Sequence, residues 1–166
     1  MSPDKTDYKA IHYLMTQGRT SWSELAGALG LSAPAAADRV RRLEERGVIR
    51  GYAALVNPEA VGCVLTAFIA VTLDRPEHRS AFLQRIQQLT EVQECHHVAG
   101  EDDYLLKVRC ASTNELDQVV SGQLKALPGV LRTRTTIVLS TLKETPVLPL
   151  PPGANPVPRT KPRARK

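Results

Sequence analysis

Residues 20–47 read TSWSELAGALGLSAPAAADRVRRLEERG, and their spacing decides how the chain begins. Thr20 or Ser21 can cap a helix, Glu24 follows Ser21 in capping-box position, and Leu25, Ala26 and Leu29 make an apolar side. Gly30 can take the left-handed backbone that ends this helix, with Leu31 placed to plug a core. Ser32 then caps a further helix whose first turn accepts Pro34. Within that helix Ala36, Val40 and Leu43 recur at intervals of four and three, so they face inward, and Gly47 ends it. Two short helices joined by a tight turn containing glycine make a helix-turn-helix.

Working outward, DYKAIHYLMTQG from Asp7 places Ile11, Leu14 and Met15 at helical spacing, with Gly18 as a stop. On the other side, VIRGYAALVN is rich in β-formers and predicts a short hairpin or wing ahead of Pro58. From Cys63 the chain alternates strands and helices. CVLTAFIAVTL and YLLKVRC read as strands, EVQECHHVAG as an alternating strand and VLRTRTTIVLST as the last one. Between them, RPEHRSAFLQRIQQL carries Phe82, Leu83, Ile86 and Leu89 at helical spacing, and TNELDQVVSGQLKAL is a second helix. The order β-α-β-β-α-β is that of a ferredoxin-like split sandwich. The expected fold class is α+β: an N-terminal winged helix-turn-helix over 4–52, a linker over 53–62, a ferredoxin-like domain over 63–145 and a tail over 146–166. One sheet with both helices on one face leaves the other face to be covered. Dimerisation through strands 63–73 and 130–141 is the simplest cover.

In EVQECHHVAG the alternation places Val92, His96 and Val98 on one side and Cys95, His97 and Ala99 on the other. His96 and His97 therefore cannot converge on one metal. Cys63, Cys95 and Cys110 are odd in number and far apart, so buried strand thiols are expected rather than disulfides or a metal site. No apolar run reaches membrane-spanning length and MSPDKTDYK lacks the apolar stretch of a signal peptide, which makes the cytoplasm the default address. No nucleophile elbow, phosphate-binding glycine loop or zinc motif is present in the sequence.

The formal charge of +5 is unevenly placed. Residues 1–62 hold eight Lys/Arg against seven Asp/Glu, 63–145 nine against ten, and 146–166 five against none. The whole excess sits in the tail PVLPLPPGANPVPRTKPRARK, whose prolines and charges cannot build a core. It reads either as a solubilising terminus or as a basic arm that grips phosphates with a steep salt dependence.

The segments RTSWSELAGALGLS, RVRRLEERGVI, RGYAALVNPEAVG and VAGEDDYLLKV, in this order and spacing, resemble the Lrp/AsnC or feast/famine family of bacterial and archaeal transcription regulators. The resemblance spans about residues 4–145. It implies a DNA-binding regulator, not an enzyme, that needs no cofactor, pairs sheet to sheet as a homodimer and often assembles into octamers. Double-stranded DNA is then the partner, with an imperfectly palindromic operator whose half-sites are about 34 Å apart. In the third helix, Arg39, Arg42 and Arg46 are expected to grip phosphates, and Ser32, Ala35 and Asp38 to meet base edges. The competing expectation is a solvated face with ion pairs from Arg41 to Glu44 or Glu45.

By composition alone, Glu101, Asp102 and Asp103 form an acidic hairpin tip beside Gly100. The resemblance gives this loop a role, since the family's Gly-x-x-Asp loop lines the effector cleft between subunits and Gly100 and Asp103 fall at its recurring positions. A carboxylate there suits the ammonium group of an amino acid, and turn N–H groups suit its carboxylate. Thr133, Thr135 and Thr136 are further candidate contacts. Two alternatives carry less. A compact three-helix domain also serves as a plain interaction module. Siroheme decarboxylases share the architecture and use histidines on a tetrapyrrole, but the GEDDYLL loop and RGYAALVNPEAVG depart from them.

Overall fold

The computed structural model describes residues 2–151. The described residues form two compact units, one of residues 2–55 together with 143–151, the other spanning Val56–Leu142. The basic end of the tail, Arg159 to Lys166, lies outside the described residues, so the proposed phosphate-gripping arm does too. Residues 146–151 have no regular secondary structure.

In the first unit, α1 (Lys5–Thr16) starts earlier than its apolar spacing suggests, because Asp4 and Asp7 form a capping box. Its most buried positions are Asp7 and Ala10, while Ile11, Leu14 and Met15 are half-buried. The expected Ser21–Glu24 capping box opens α2 (Trp22–Leu29), and Gly30, at φ 69°, closes it. Ser32 caps α3 (Ala33–Glu45), which carries Pro34 in its first turn and buries Ala36, Val40 and Leu43. Leu25, Ala26, Ala36 and Val40 form the core, with Tyr13, Leu14 and Leu29 against it. Leu31 is only half-buried.

The expected wing is not formed. Residues 48–57 carry no strand. The N–H groups of Val48 and Ile49 both donate to the Leu43 carbonyl, at 2.9 and 3.1 Å, so the end of α3 takes the donors a ladder would need. Tyr52 instead returns to α3, its hydroxyl donating to Glu44 over 2.7 Å.

The second unit has the expected order: β1 (Leu65–Leu73), α4 (Arg79–Ile86), β2 (Val92–His97), β3 (Tyr104–Cys110), α5 (Thr113–Asp117) and β4 (Val130–Ile137). A π-helical turn, Gln118–Leu124, extends α5. The sheet is antiparallel in the order β2-β3-β1-β4. Period-two alternation is clean in β3, where Tyr104, Leu106, Val108 and Cys110 are buried. These meet Ala67, Ile69 and Val71 of β1 and, from the helices, Phe82, Ile86, Leu116 and Val119. Each of the larger side chains contributes about 2 kcal/mol by burial.

A register shift between Val92 and Glu94 changes the expected pattern in β2. One extra residue switches the phase, so Val92 and Cys95 both pack on the core, and Val92 does not share a face with His96. His96 and His97 do point apart: His96 lies 3.0 Å from Glu94, whereas the His97 ring is 5.3 Å from that of Tyr104. Cys110 is buried and Cys63 and Cys95 half-buried, all as free thiols. The sheet's open face is less apolar than expected. β1 contributes Phe68 and Ala70 to it, but β4 contributes Arg132, Arg134 and Thr136, the partners of Thr72, Ala70 and Phe68.

A corner at the start of α4 depends on one glycine. The imidazole of His78 lies 2.6 Å from Asp74, whose backbone N–H donates to the carbonyl of Gly129. Gly129 has φ 86°, and a Cβ there would sit 2.4 Å from the His78 Cβ. Gly129→Ala should therefore cost at least about 2 kcal/mol from backbone strain alone. Urea unfolding measures it, and His78→Ala on the same chain should not restore stability, because the offending Cβ remains.

Candidate nucleic-acid interface and effector loop

With Ala36, Val40 and Leu43 facing inward, the 100° step of a helix turns Pro34, Asp38, Arg41, Arg42 and Glu45 outward. Asp38 is the hub of this face. It accepts from Arg41, and its other oxygen lies 2.7 Å from Arg42. Arg41 also stands 3.8 Å from Glu45, so the expected i,i+4 pair forms there, while Glu44 takes the Tyr52 hydroxyl. These are solvent-exposed pairs worth a few tenths of a kcal/mol each, and an incoming phosphate or base can displace them.

Ser32 and Ala35 are exposed at the start of the helix, with the Ser32 hydroxyl accepting from the Ala35 N–H. Arg46 ends the helix on an exposed position. Arg39 departs from its expected role. Its guanidinium lies 2.7 Å from Asp4 and 2.6 Å from Asp7, with only 22% of the side chain exposed. The expectation placed it among the phosphate contacts. The structure commits it to fastening α3 onto the capping box of α1, because position 39 turns toward α1 and not outward.

In the acidic loop the three carboxylates separate, since successive residues leave a strand end toward opposite faces. Glu101 is exposed, 3.6 Å from Arg134. Asp102 turns to the open face of the sheet and is 7% exposed there. It lies 2.7 Å from Arg134 and 3.2 Å from Arg132, and accepts from the Thr72 hydroxyl. Asp103 turns to the helix face, where its carboxylate accepts from the Leu73 N–H at 2.7 Å and its own N–H donates to the Val71 carbonyl. Gly100 is an exposed bend with open space around its α-carbon.

Asp103 lines a cavity of about 260 Å³ together with Asp74, Arg75, Arg79, His97 and Tyr104. The His78 imidazole beside Asp74 holds that carboxyl below its usual range. Sequence reasoning missed Arg75 and Arg79 because they lie on a segment far from the loop in the chain, and it read His97, which ends the strand just before the loop, only as a metal-ligand candidate. The sheet register alone brings the C-terminal ends of β1 and β2 to the start of β3. The three threonines do not act together: Thr133 and Thr135, partners of Val71 and Ile69, face the helix side, and Thr136, partner of Phe68, faces the open side. Among the described residues no group of three or more His, Cys, Asp or Glu is arranged to hold a metal, and no helix is long and apolar enough to cross a membrane.

Two family profiles match this layout. The AsnC-type helix-turn-helix domain matches residues 4–44 and the Lrp/AsnC ligand binding domain matches residues 66–148. The chain belongs to the Lrp/AsnC family. It is 44% identical over 138 residues to the HTH-type transcriptional regulator LrpA of Mycobacterium tuberculosis, covering 83% of this chain and 91% of that one. It is 40% identical over 143 residues to the leucine-responsive regulatory protein of Escherichia coli K12, covering 85% and 87%. Among solved structures, a transcriptional regulator from Neisseria meningitidis in complex with L-methionine superposes with a TM-score of 0.85 at 34% identity, covering 89% of this chain and 97% of that one. The feast or famine regulatory protein of M. tuberculosis complexed with L-methionine gives 0.80 at 42% identity, covering 86% and 96%.

The clasp at Arg39 has a measurable consequence. Asp4 is held below its usual carboxyl range, chiefly by its hydrogen bond to Arg39. A depressed pKa contributes stability that is present above the unfolded value of about 4 and is lost as pH falls through the folded value. Arg39→Ala should cost about 2 kcal/mol at neutral pH. Chemical unfolding followed by circular dichroism should show that deficit shrinking below about pH 4, as the acid sensitivity the pair confers disappears.

Proposed function

We propose that this protein is a DNA-binding transcriptional regulator whose output is adjusted by a small zwitterion of the amino-acid class. The observation that carries the proposal is the cavity beside Asp103, where an anchored carboxylate stands with two arginines in a chain whose other unit is a helix-turn-helix. Asp103 suits an ammonium group, and Arg75 or Arg79 suits a carboxylate. The turn N–H groups first expected to take the carboxylate are a poorer match, since that of Asp103 donates to Val71. The L-methionine bound to two structural neighbours supports the ligand class.

On DNA, two copies of the chain place their α3 helices in successive major grooves, about 34 Å apart. Arg42 and Arg46 take phosphates, while Ser32, Ala35 and Asp38 lie toward base edges. Arg39 is left out of this set because Asp4 and Asp7 hold it. Ligand binding at a sheet-borne loop alters the relative placement of subunits and so the spacing of the reading helices. The curated relatives are named as regulators, which favours this reading over a tetrapyrrole decarboxylase of the same architecture.

Selection of bound fragments from genomic DNA, with and without a mixture of amino acids, tests the regulator directly. Imperfectly palindromic fragments should be retained, and retention should change with the mixture. On a selected fragment, Arg42→Ala should weaken binding to all sequences and flatten the salt dependence by about one unit of slope, whereas Asp38→Ala should change preference at one base position. Calorimetric titration with the twenty amino acids should give heat with at least one. Asp103→Asn, which keeps an acceptor for Leu73 but removes the charge, should weaken that ligand about tenfold or more. An absence of heat with every amino acid would remove the effector from the proposal.

A further inference from the structure

The chain has a single tryptophan, Trp22, and it is half exposed at the first position of α2. It forms one wall of a shallow groove of about 500 Å³ whose other walls are Ala37, Asp38, Arg41 and Glu44 of α3. Two of these, Asp38 and Arg41, belong to the outward face of α3, so the groove opens on the side that a DNA duplex would meet. Its apolar side chains are the indole and the Ala37 methyl. Its charged side chains are two carboxylates and one guanidinium, and Arg41 is already drawn to Asp38 and Glu45.

That composition discriminates between the parts of a duplex. The leading helix of such a motif ordinarily crosses the sugar-phosphate backbone, but a phosphate entering here would meet Asp38 and Glu44. A base edge fits better. In the major groove the one apolar feature a base presents is the C5-methyl of thymine, and exocyclic amino groups of neighbouring bases can donate to a carboxylate.

We infer that Trp22 is a base-reading residue, which with Ala37 receives a thymine methyl while Asp38 or Glu44 accepts from an adjacent base amino group. This rests on the DNA-binding function proposed above and adds to α3 a reading contact supplied by α2. An arginine-based reading of the same helix leaves Trp22 without a part. Here the indole gives the groove its shape, and the paired charges around it select against a bare phosphate.

The test uses the full chain and a fragment retained in the genomic selection, with its thymines replaced one at a time by deoxyuridine, which lacks only the methyl. At one thymine in each half-site the replacement should weaken binding about fourfold, the worth of one buried methyl. In Trp22→Ala that same replacement should have no effect, and Trp22→Phe should keep a reduced discrimination of about twofold. The emission of the sole tryptophan should shift on binding the thymine fragment. Trp22→Ala that binds more weakly but still discriminates thymine from deoxyuridine overturns the inference, as does unchanged emission or insensitivity at every thymine. In each of those results the fragment is still bound and the regulator stands. Retention of no genomic fragment overturns both.

Discussion

The guanidinium of Arg39, held between Asp4 and Asp7, is the contact on which the first unit depends. Those two carboxylates already cap each other's backbone at the start of α1, so the arginine fastens α3 to a rigid turn. Small inward residues, Ala36 and Val40, allow the helices to approach closely but offer little to set rotation about the helix axis. A charged pair with short, directed bonds supplies that setting. Once position 39 is fixed toward α1, the helical period turns Asp38, Arg41, Arg42 and Glu45 outward, and that face is the one available to a nucleic acid.

In the second unit the comparable constraint is strand alternation. Adjacent residues leave a strand on opposite sides, and this one rule separates groups that look like clusters when written in a line. Asp102 is bound into the open face with Arg132 and Arg134, and Asp103 into the helix side beside Arg75 and Arg79. The two faces therefore carry different chemistry. The open face holds internally matched charges around Phe68, suited to a second surface of its own kind. The helix side holds an anchored carboxylate next to unlike charges, suited to a zwitterion.

Much of this was legible from residue spacing. The Ser21–Glu24 capping box, the glycine turn, the buried stripe of α3 and the β-α-β-β-α-β order all follow from local rules, and local rules act within a few residues. The absence of the wing was not legible, because β-propensity in VIRGYAALVN says nothing about where its N–H groups go, and the end of α3 claims two of them. The bulge in β2 was not legible either. A single extra residue leaves no mark in composition yet reverses which of Val92, Cys95 and His96 share a side.

By itself the sequence determined the order of elements, which helix is the second of a helix-turn-helix, and where an acidic glycine loop falls between two strands. Each of these depends on periodicity and capping, which are properties of neighbours in the chain. Only the tertiary structure decided that Arg39 pairs with Asp4 and Asp7, that Asp103 and neither Glu101 nor Asp102 lines the cavity beside Arg75 and Arg79, and that Trp22 stands against α3. Those outcomes depend on contacts between residues tens of positions apart, such as the 32 between Asp7 and Arg39. Such contacts are set by the register of a sheet or the crossing of helices, which no local pattern encodes.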